Sequence, residues 1–231
     1  MTSFKSTIWP NQTIQRTGAS RFVQRQIQRH RRLAPVADHC VSCLSMSASV
    51  HSILKKAKMG DLFQVKRRLK DIGSTTGFVV DFSDSLVLFH VLETDTFRLN
   101  GYTVIRMEDI SQYRVFGKAE YWQFRAVKHF HLRPVRPAGI SVASLPELLR
   151  SVSKHYPLIT FHPEKKRPDV CYIGPLVSIT ERTFTIADLN SNAEWSGSRR
   201  MKVSDVTRVD FGGGYEEALA VTAPKRPKAG R

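Results

Sequence analysis

Basic side chains at close spacing give this sequence its clearest chemical signal, because grouped cations attract the phosphates of a nucleic acid. Lys66, Arg68 and Lys70 stand at alternate positions of a strand-like run, so all three are expected on one exposed face. Together with a preceding group, they form the predicted nucleic-acid contact surface: Lys55, Lys56, Lys58, Lys66, Arg68 and Lys70. A solvated face that guards an edge strand against aggregation explains the same pattern equally well.

Aromatic rings between residues 118 and 131 supply a second chemical possibility. Tyr121, Trp122, Phe124 and Phe130 lie among basic residues, and rings beside cations can stack on nucleobases. Rings at this density usually fill an interior, however. We therefore expect this segment to be a helix that packs one half of the protein against the other.

Residues that could catalyse a reaction do not combine into a complete site in the sequence. Asp81 and Asp84 are neighbouring carboxylates without a matching base or nucleophile. His129 and His131 stand two positions apart, which on a helix separates their directions by about 200°. His90 falls in an apolar run and is interpreted as a core histidine bound by the backbone. The sequence therefore predicts a protein that is not an enzyme and has no cofactor.

Cysteines offer only half of a metal site. Cys40 and Cys43 have the two-residue gap of a zinc-binding pair, but a second pair is missing and Cys171 stands far along the chain. We therefore predict no metal. Three cysteines also give no disulfide framework, and the apolar runs are too short for a membrane span or a secretory signal. These features favour a cytoplasmic protein.

The formal charge of +16, from 36 basic and 20 acidic residues, is concentrated at the two ends of the chain. Residues 1–45 carry +6 and residues 223–231 carry +4, which leaves +6 for residues 46–222. Both end segments are predicted to be disordered basic tails. Two other interpretations of residues 1–45 stay open: an upstream stretch before a true start at Met46, and an organelle transit peptide.

The elements that would carry the candidate groups occur twice along the chain. Such self-similarity predicts two related domains in tandem. Corresponding positions are 97 or 96 residues apart: Gly77, Phe82 and Val87 match Gly174, Ile179 and Phe184, and Asp109, Ile110 and Tyr113 match Asp205, Val206 and Val209.

Turn and capping signals divide each copy into short strands preceded by a helix. Helical spacing over 50–57 comes before a strand-like run over 62–69, and Asn100-Gly101 is a strong hairpin signal. A capping box that begins at Ser144 starts the helix of the second copy. Each copy has five predicted strands with a single helical turn before the fifth, which is typical of a small SH3-like barrel.

The stretch 77–89 resembles the first motif of Sm-like proteins, including bacterial Sm-like RNA chaperones. It has a glycine, alternating apolar residues, a turn with an acid and a second apolar strand. Leu86 follows the turn where that family often has a base-binding Asn, and Arg106-Met107 stands where the family completes its base pocket. The resemblance thus implies the Sm-like fold without that pocket. The two-barrel layout also resembles a bacterial family for which no activity is implied.

The predicted fold class is mainly β with short helices (α+β). It consists of two tandem five-stranded Sm-like or SH3-like barrels, 46–117 and 144–222, joined by a connecting helix and linker over 118–143. The predicted function is non-enzymatic binding of RNA or another nucleic acid through the basic face of the first barrel. The alternative is a protein-interaction or scaffold module that uses an open barrel edge or the groove between the domains.

Overall fold

A computed structural model describes residues 52, 54, 61–69, 73–119 and 121–227. The helices and strands, numbered in chain order, are β1 (Leu62–Arg67), β2 (Thr75–Phe82), β3 (Leu86–Glu93), β4 (Arg98–Arg106), β5 (Ile110–Val115), α1 (Trp122–His129), α2 (Leu145–His155), β6 (Ile159–His162), β7 (Tyr172–Gly174), β8 (Leu176–Ile179), β9 (Thr183–Leu189), β10 (Trp195–Lys202), β11 (Arg208–Phe211) and α3 (Gly214–Thr222). Short 3₁₀ turns, Met107–Asp109 and Val203–Asp205, stand before β5 and shortly before β11. None of the described helices is long and apolar enough to cross a membrane.

All described strands belong to one antiparallel sheet, in the order β10-β9-β7-β6-β11-β4-β3-β2-β1-β5, with β8 paired to β9 beside this path. The predicted α+β class, mainly antiparallel β, is confirmed. The sheet stays open, because β4 pairs with β11 of the second half and β5 pairs only with β1 among the described strands. The division into two barrels remains a prediction.

The same strand order occurs in both halves of the sheet. The first half runs β5-β1-β2-β3-β4 and the second runs β11-β6-β7-β9-β10, and each has a 3₁₀ turn leading toward its last strand. The halves join where β11 pairs with β4, with Asp210 opposite Thr103. One hydrogen-bonded sheet therefore continues from each half into the other.

A pair of glycines explains why the repeat is visible in the sequence. A Cβ on Gly77 would come 2.7 Å from the carbonyl oxygen of His90 on the neighbouring strand. A Cβ on Gly174 would collide with the carbonyl oxygen of Ala187. Gly174 and Ala187 stand 97 residues after Gly77 and His90, respectively. Both positions need glycine because the backbones of adjacent strands approach each other there.

Helix α2 covers the junction of the two halves with its apolar side. Ser144 caps the helix by accepting a 3.3 Å hydrogen bond from the backbone N–H of Glu147, as the capping signal predicts. Apolar residues then follow at helical spacing and are buried in a cluster that includes β3 and β6 residues. The cluster members on α2 are Leu145, Leu148, Leu149 and Val152.

The predicted hairpin at Asn100-Gly101 is wrong. Both residues lie inside β4, and the chain turns earlier, where the N–H of Phe97 donates to the carbonyl of Glu93 at 2.8 Å. Gly101 has a φ of +63° because the backbone at Gly213 lies against it, leaving no space for a Cβ. The glycine therefore serves a contact between the halves and not a turn. Of the helix predicted over 50–57, only Ser52 and Leu54 are described, and both are helical.

Candidate nucleic-acid interface

The alternation of β1 places its basic residues on different sides of the sheet. Val65 and Arg67 are buried, whereas Lys66 is exposed and Arg68, just past the strand end, is exposed as well. The structure thus gives Lys66 and Arg68 the exposure that the alternation predicts. The other predicted contact residues lie outside the described part of the chain: Lys55, Lys56, Lys58 and Lys70.

Strand β5 adds an arginine to the same face. Lys66 pairs with Gln112, and Gln64 pairs with Arg114, so Arg114 is the diagonal neighbour of Lys66, at about 7–8 Å between backbones. Arg114 is exposed, as are Gln112 and Lys66. We call Lys66, Arg68 and Arg114 the β1–β5 basic face. Sequence analysis missed Arg114, although the alternation of residues 112–115 contained the signal.

The described carboxylates do not neutralise the centre of this face. No ion pair within 4.0 Å joins Lys66 or Arg68 to a carboxylate among the residues that the structure describes. Asp109, whose backbone carbonyl accepts a 2.7 Å hydrogen bond from the N–H of Arg68, is buried, and its carboxylate lies 2.8 Å from Lys165 Nζ. Lys66, on the strand next to the sheet edge, and Arg68, just past that strand, are thus exposed cations that an external anion can reach.

Arg67, between the two exposed cations, has a structural role instead. Its Nη2 donates to Glu164 Oε1 at 2.8 Å, and its Nη1 contacts Glu164 Oε2. The Thr207 hydroxyl donates to the same carboxylate at 2.6 Å, and the ion-paired side chains of Arg67 and Glu164 are 1% and 4% exposed. Burial opposes ionisation of Glu164, but the hydrogen bonds from Arg67 and Thr207 outweigh it and lower its pKa. This pair ties β1 to the second half.

The connecting helix α1 is confirmed, but its expected packing between the halves is wrong for its outer rings. Trp122 and Phe130 are each 55% exposed. The partly buried Tyr121, Val127 and Leu132 attach the segment to a cluster of the first half. No residue of this eight-residue helix is fully buried, so only its partly buried side contacts the first half and the rings on its other side remain in solvent.

The exposed rings of α1 are grouped around Phe97 from the turn between β3 and β4. The ring centroid of Phe97 lies 5.4 Å from that of Trp122 and 5.9 Å from that of Phe130. On the same helix, Lys128 Nζ lies 4.6 Å from the centre of the Phe124 ring. We call Phe97, Trp122 and Phe130 the α1 aromatic surface; Phe124 and Lys128 point to a different side of the helix.

A polar cleft of about 500 Å³ opens where the two halves of the sheet meet. Asp210 accepts from the Thr103 hydroxyl and lies 2.8 Å from His162 Nε2, and Arg208 Nε is 3.1 Å from the same carboxylate. Burial opposes ionisation of Asp210, yet its pKa is lowered by His162, Arg208 and Thr103. Cys171 also lines the cleft; its residue is exposed, and partial desolvation of the sulfur raises the pKa of the thiol.

Two of the residues considered for catalysis have other partners. Asp81 accepts from Arg136 at 3.0 and 2.7 Å. His90 accepts a 3.1 Å hydrogen bond from the backbone N–H of Val135, stacks on Tyr102 at 4.6 Å and has its pKa lowered by burial. The predicted backbone hydrogen bond of His90 is confirmed, but its predicted place in the core is wrong, because the side chain is only partly buried.

Comparison of the chain with protein-family models, curated proteins and solved structures gives no match. The function must therefore be argued from the chain's own residues, beginning with the two exposed surfaces described above, the β1–β5 basic face and the α1 aromatic surface.

Proposed function

We propose that this protein binds RNA, or another single-stranded nucleic acid, through the β1–β5 basic face. One observation carries the proposal: Lys66 on β1 and Arg68 just past it are exposed with no described carboxylate in ion-pair range, and Arg114 stands beside Lys66 on the edge strand β5. Cations arranged in this way neutralise phosphates and release the counterions that those phosphates had bound.

The use of acidic residues elsewhere in the fold supports this assignment. Described carboxylates such as Asp188 and Glu164 are paired with Arg199 and Arg67 inside the sheet. These acidic groups are thus taken up by ion pairs within the fold, while Lys66 and Arg68 are exposed with no described carboxylate in ion-pair range. We include Lys55, Lys56, Lys58 and Lys70 in the proposed surface on the strength of the sequence.

We further propose that each half is a variant of the Sm-like arrangement, 46–117 and 144–222, in a non-enzymatic, cytoplasmic protein. The identical strand order of the halves and their matched 3₁₀ turns support this view. RNA would be bound by the outer surface of the first half, since Leu86 stands where that family often has its base-binding Asn.

The test is a charge-reversed variant of the full chain, Lys66→Glu/Arg68→Glu/Arg114→Glu, titrated into a fluorescein-labelled single-stranded RNA at low salt. We expect at least a tenfold weaker Kd, since three phosphate contacts are lost and replaced by repulsion. The matched control reverses three exposed cations away from the face: Lys154→Glu, Arg182→Glu and Arg226→Glu.

The control variant changes the net charge by the same amount, so it separates a local site from bulk attraction. If both variants weaken binding equally, the RNA is attracted by the net positive charge of the whole chain and not by the proposed face. Absence of binding by the wild-type protein at low salt would end the proposal.

A protein partner is the second candidate function, and the open sheet edges favour it. Among the described strands, β5 and β10 each have a neighbour on one side only, so either could accept an added strand. Charge reversal at Lys66 and Arg68 should leave such pairing largely intact, whereas a proline placed at Gln112 of β5 should abolish pairing on that edge.

A further inference from the structure

We infer that the α1 aromatic surface stacks the bases of the bound strand, with Trp122 and Phe130 as the contacting rings. This inference rests on the proposed function and names the part of the ligand that the second surface would recognise. The two rings are each 55% exposed, which is unusual for large apolar side chains that lie close to a common third ring.

The position of these rings is fixed by Phe97. That residue has a φ of +54°, a conformation that bulky side chains rarely adopt, and its ring lies within 6 Å of both exposed rings. Phe97 is itself partly buried against the cluster of Leu62, Phe78, Leu92 and Phe116. The surface rings are therefore supported from below, so that a base could stack on them with little loss of side-chain freedom.

The charge around the rings selects an anionic partner. Residues 121–146 contain Arg125, Lys128, Arg133 and Arg136 and no Asp or Glu. Arg136 is paired with Asp81, Arg125 donates to the backbone carbonyl of Ala119 at 2.8 Å, and Lys128 and Arg133 are exposed. Proteins that bind single strands combine aromatic rings, which can stack on any base, with cations that bind the phosphate backbone of the nucleic acid.

The two surfaces are connected through β1 and β5. Leu62 at the start of β1 packs in the same cluster as Val127 of α1, and Lys66 follows four residues later, about 13 Å along the strand. Arg114 lies eight residues before Trp122 in the chain. A single strand of a few nucleotides could therefore place bases on α1 and phosphates on the β1–β5 basic face.

The experiment measures binding of the full chain to the labelled RNA after Trp122→Ala and Phe130→Ala, singly and together. Each alanine should weaken binding by roughly 5-fold to 100-fold, the range of a lost stacking contact. The salt dependence should not change, because stacking releases no counterions. Trp122→Phe should recover most of the loss, and Tyr215→Ala, which removes a 52% exposed ring on α3, is the matched control.

An RNA of the same length with abasic sites separates stacking from simple surface contact. The wild-type protein should bind it more weakly, whereas the double alanine variant should show no further loss. The stacking inference is overturned if Trp122→Ala and Phe130→Ala bind the RNA as tightly as the wild type while the charge-reversed variant binds it more weakly. That result leaves the proposed function standing. A wild-type protein that binds neither RNA overturns both.

Discussion

Replacing Glu164 by Gln should destabilise the protein more than any change at its surface. The substitution leaves the Arg67 guanidinium buried without its counter-charge, since the ion-paired side chains are only 1% and 4% exposed. Removing one partner of a buried ion pair costs about 3–5 kcal/mol. For a folded region of about this size, 1 kcal/mol shifts Tm by roughly 2–4 °C, so a loss of about 6–20 °C is expected.

The assay is thermal unfolding followed by circular dichroism or calorimetry at pH 7. Asp205→Asn is the control, because Asp205 forms a solvent-accessible pair with Lys166 at 2.8 Å and such pairs contribute about 0–1 kcal/mol. The double variant Arg67→Met/Glu164→Met removes both charges and should recover much of the loss. A Tm for Glu164→Gln equal to that of Asp205→Asn would refute the assigned role of the pair.

The pH dependence of the Tm difference between wild type and Glu164→Gln tests the direction of the pKa shift of Glu164. The folded pKa of Glu164 lies below its ordinary value of 4.5, so the carboxylate contributes stability that is present above pH 4.5 and lost as the pH falls through the folded pKa. The Tm difference between wild type and Glu164→Gln should therefore be constant near neutral pH and shrink in acid. A difference that grows in acid would contradict the lowered pKa.

Two further predictions concern the sheet. Gly174→Ala should lower Tm more than Gly77→Ala, because the added Cβ of the former meets the backbone more closely; equal Tm losses in thermal melts would contradict this ranking. Thr103→Val removes the hydroxyl that donates to Asp210 at the junction of the halves and should cost about 1.5–3 kcal/mol, the range for a hydrogen bond to a charged group. Urea unfolding measures that cost, and an unchanged midpoint would show that the hydroxyl contributes nothing.

The sequence contained enough information to predict the repeat, most of the strands and the alternation along β1, but not the start of β4 at Arg98. Each depends on local patterns: Gly77 and Gly174 mark equivalent close approaches, and Lys66 and Arg68 follow the two-residue period of a strand. Arg114 could have been added by the same reasoning, had the pairing of β1 with β5 been considered.

The features that sequence reasoning missed depend on contacts between distant residues. Arg67 looks like part of a solvated basic run, and its partner Glu164 is 97 positions away. Asn100-Gly101 has the residue types of a turn, but Gly101 instead allows the backbone of Gly213 to lie close to it. The density of rings on α1 indicates burial, yet no local pattern says that Trp122 remains 55% exposed. In each case, the role of the residue depends on where the fold places it and not on its neighbours in the sequence.

The most direct test of the central claim is the salt dependence of RNA binding by the full chain and by Lys66→Glu/Arg68→Glu/Arg114→Glu. For single strands, log K falls with log salt by about 0.7 for each phosphate neutralised. We expect a wild-type slope steeper than −2 and a variant slope shallower by about 2, because three cations are lost. Equal slopes for the two proteins would contradict the assignment of the β1–β5 basic face as the RNA site.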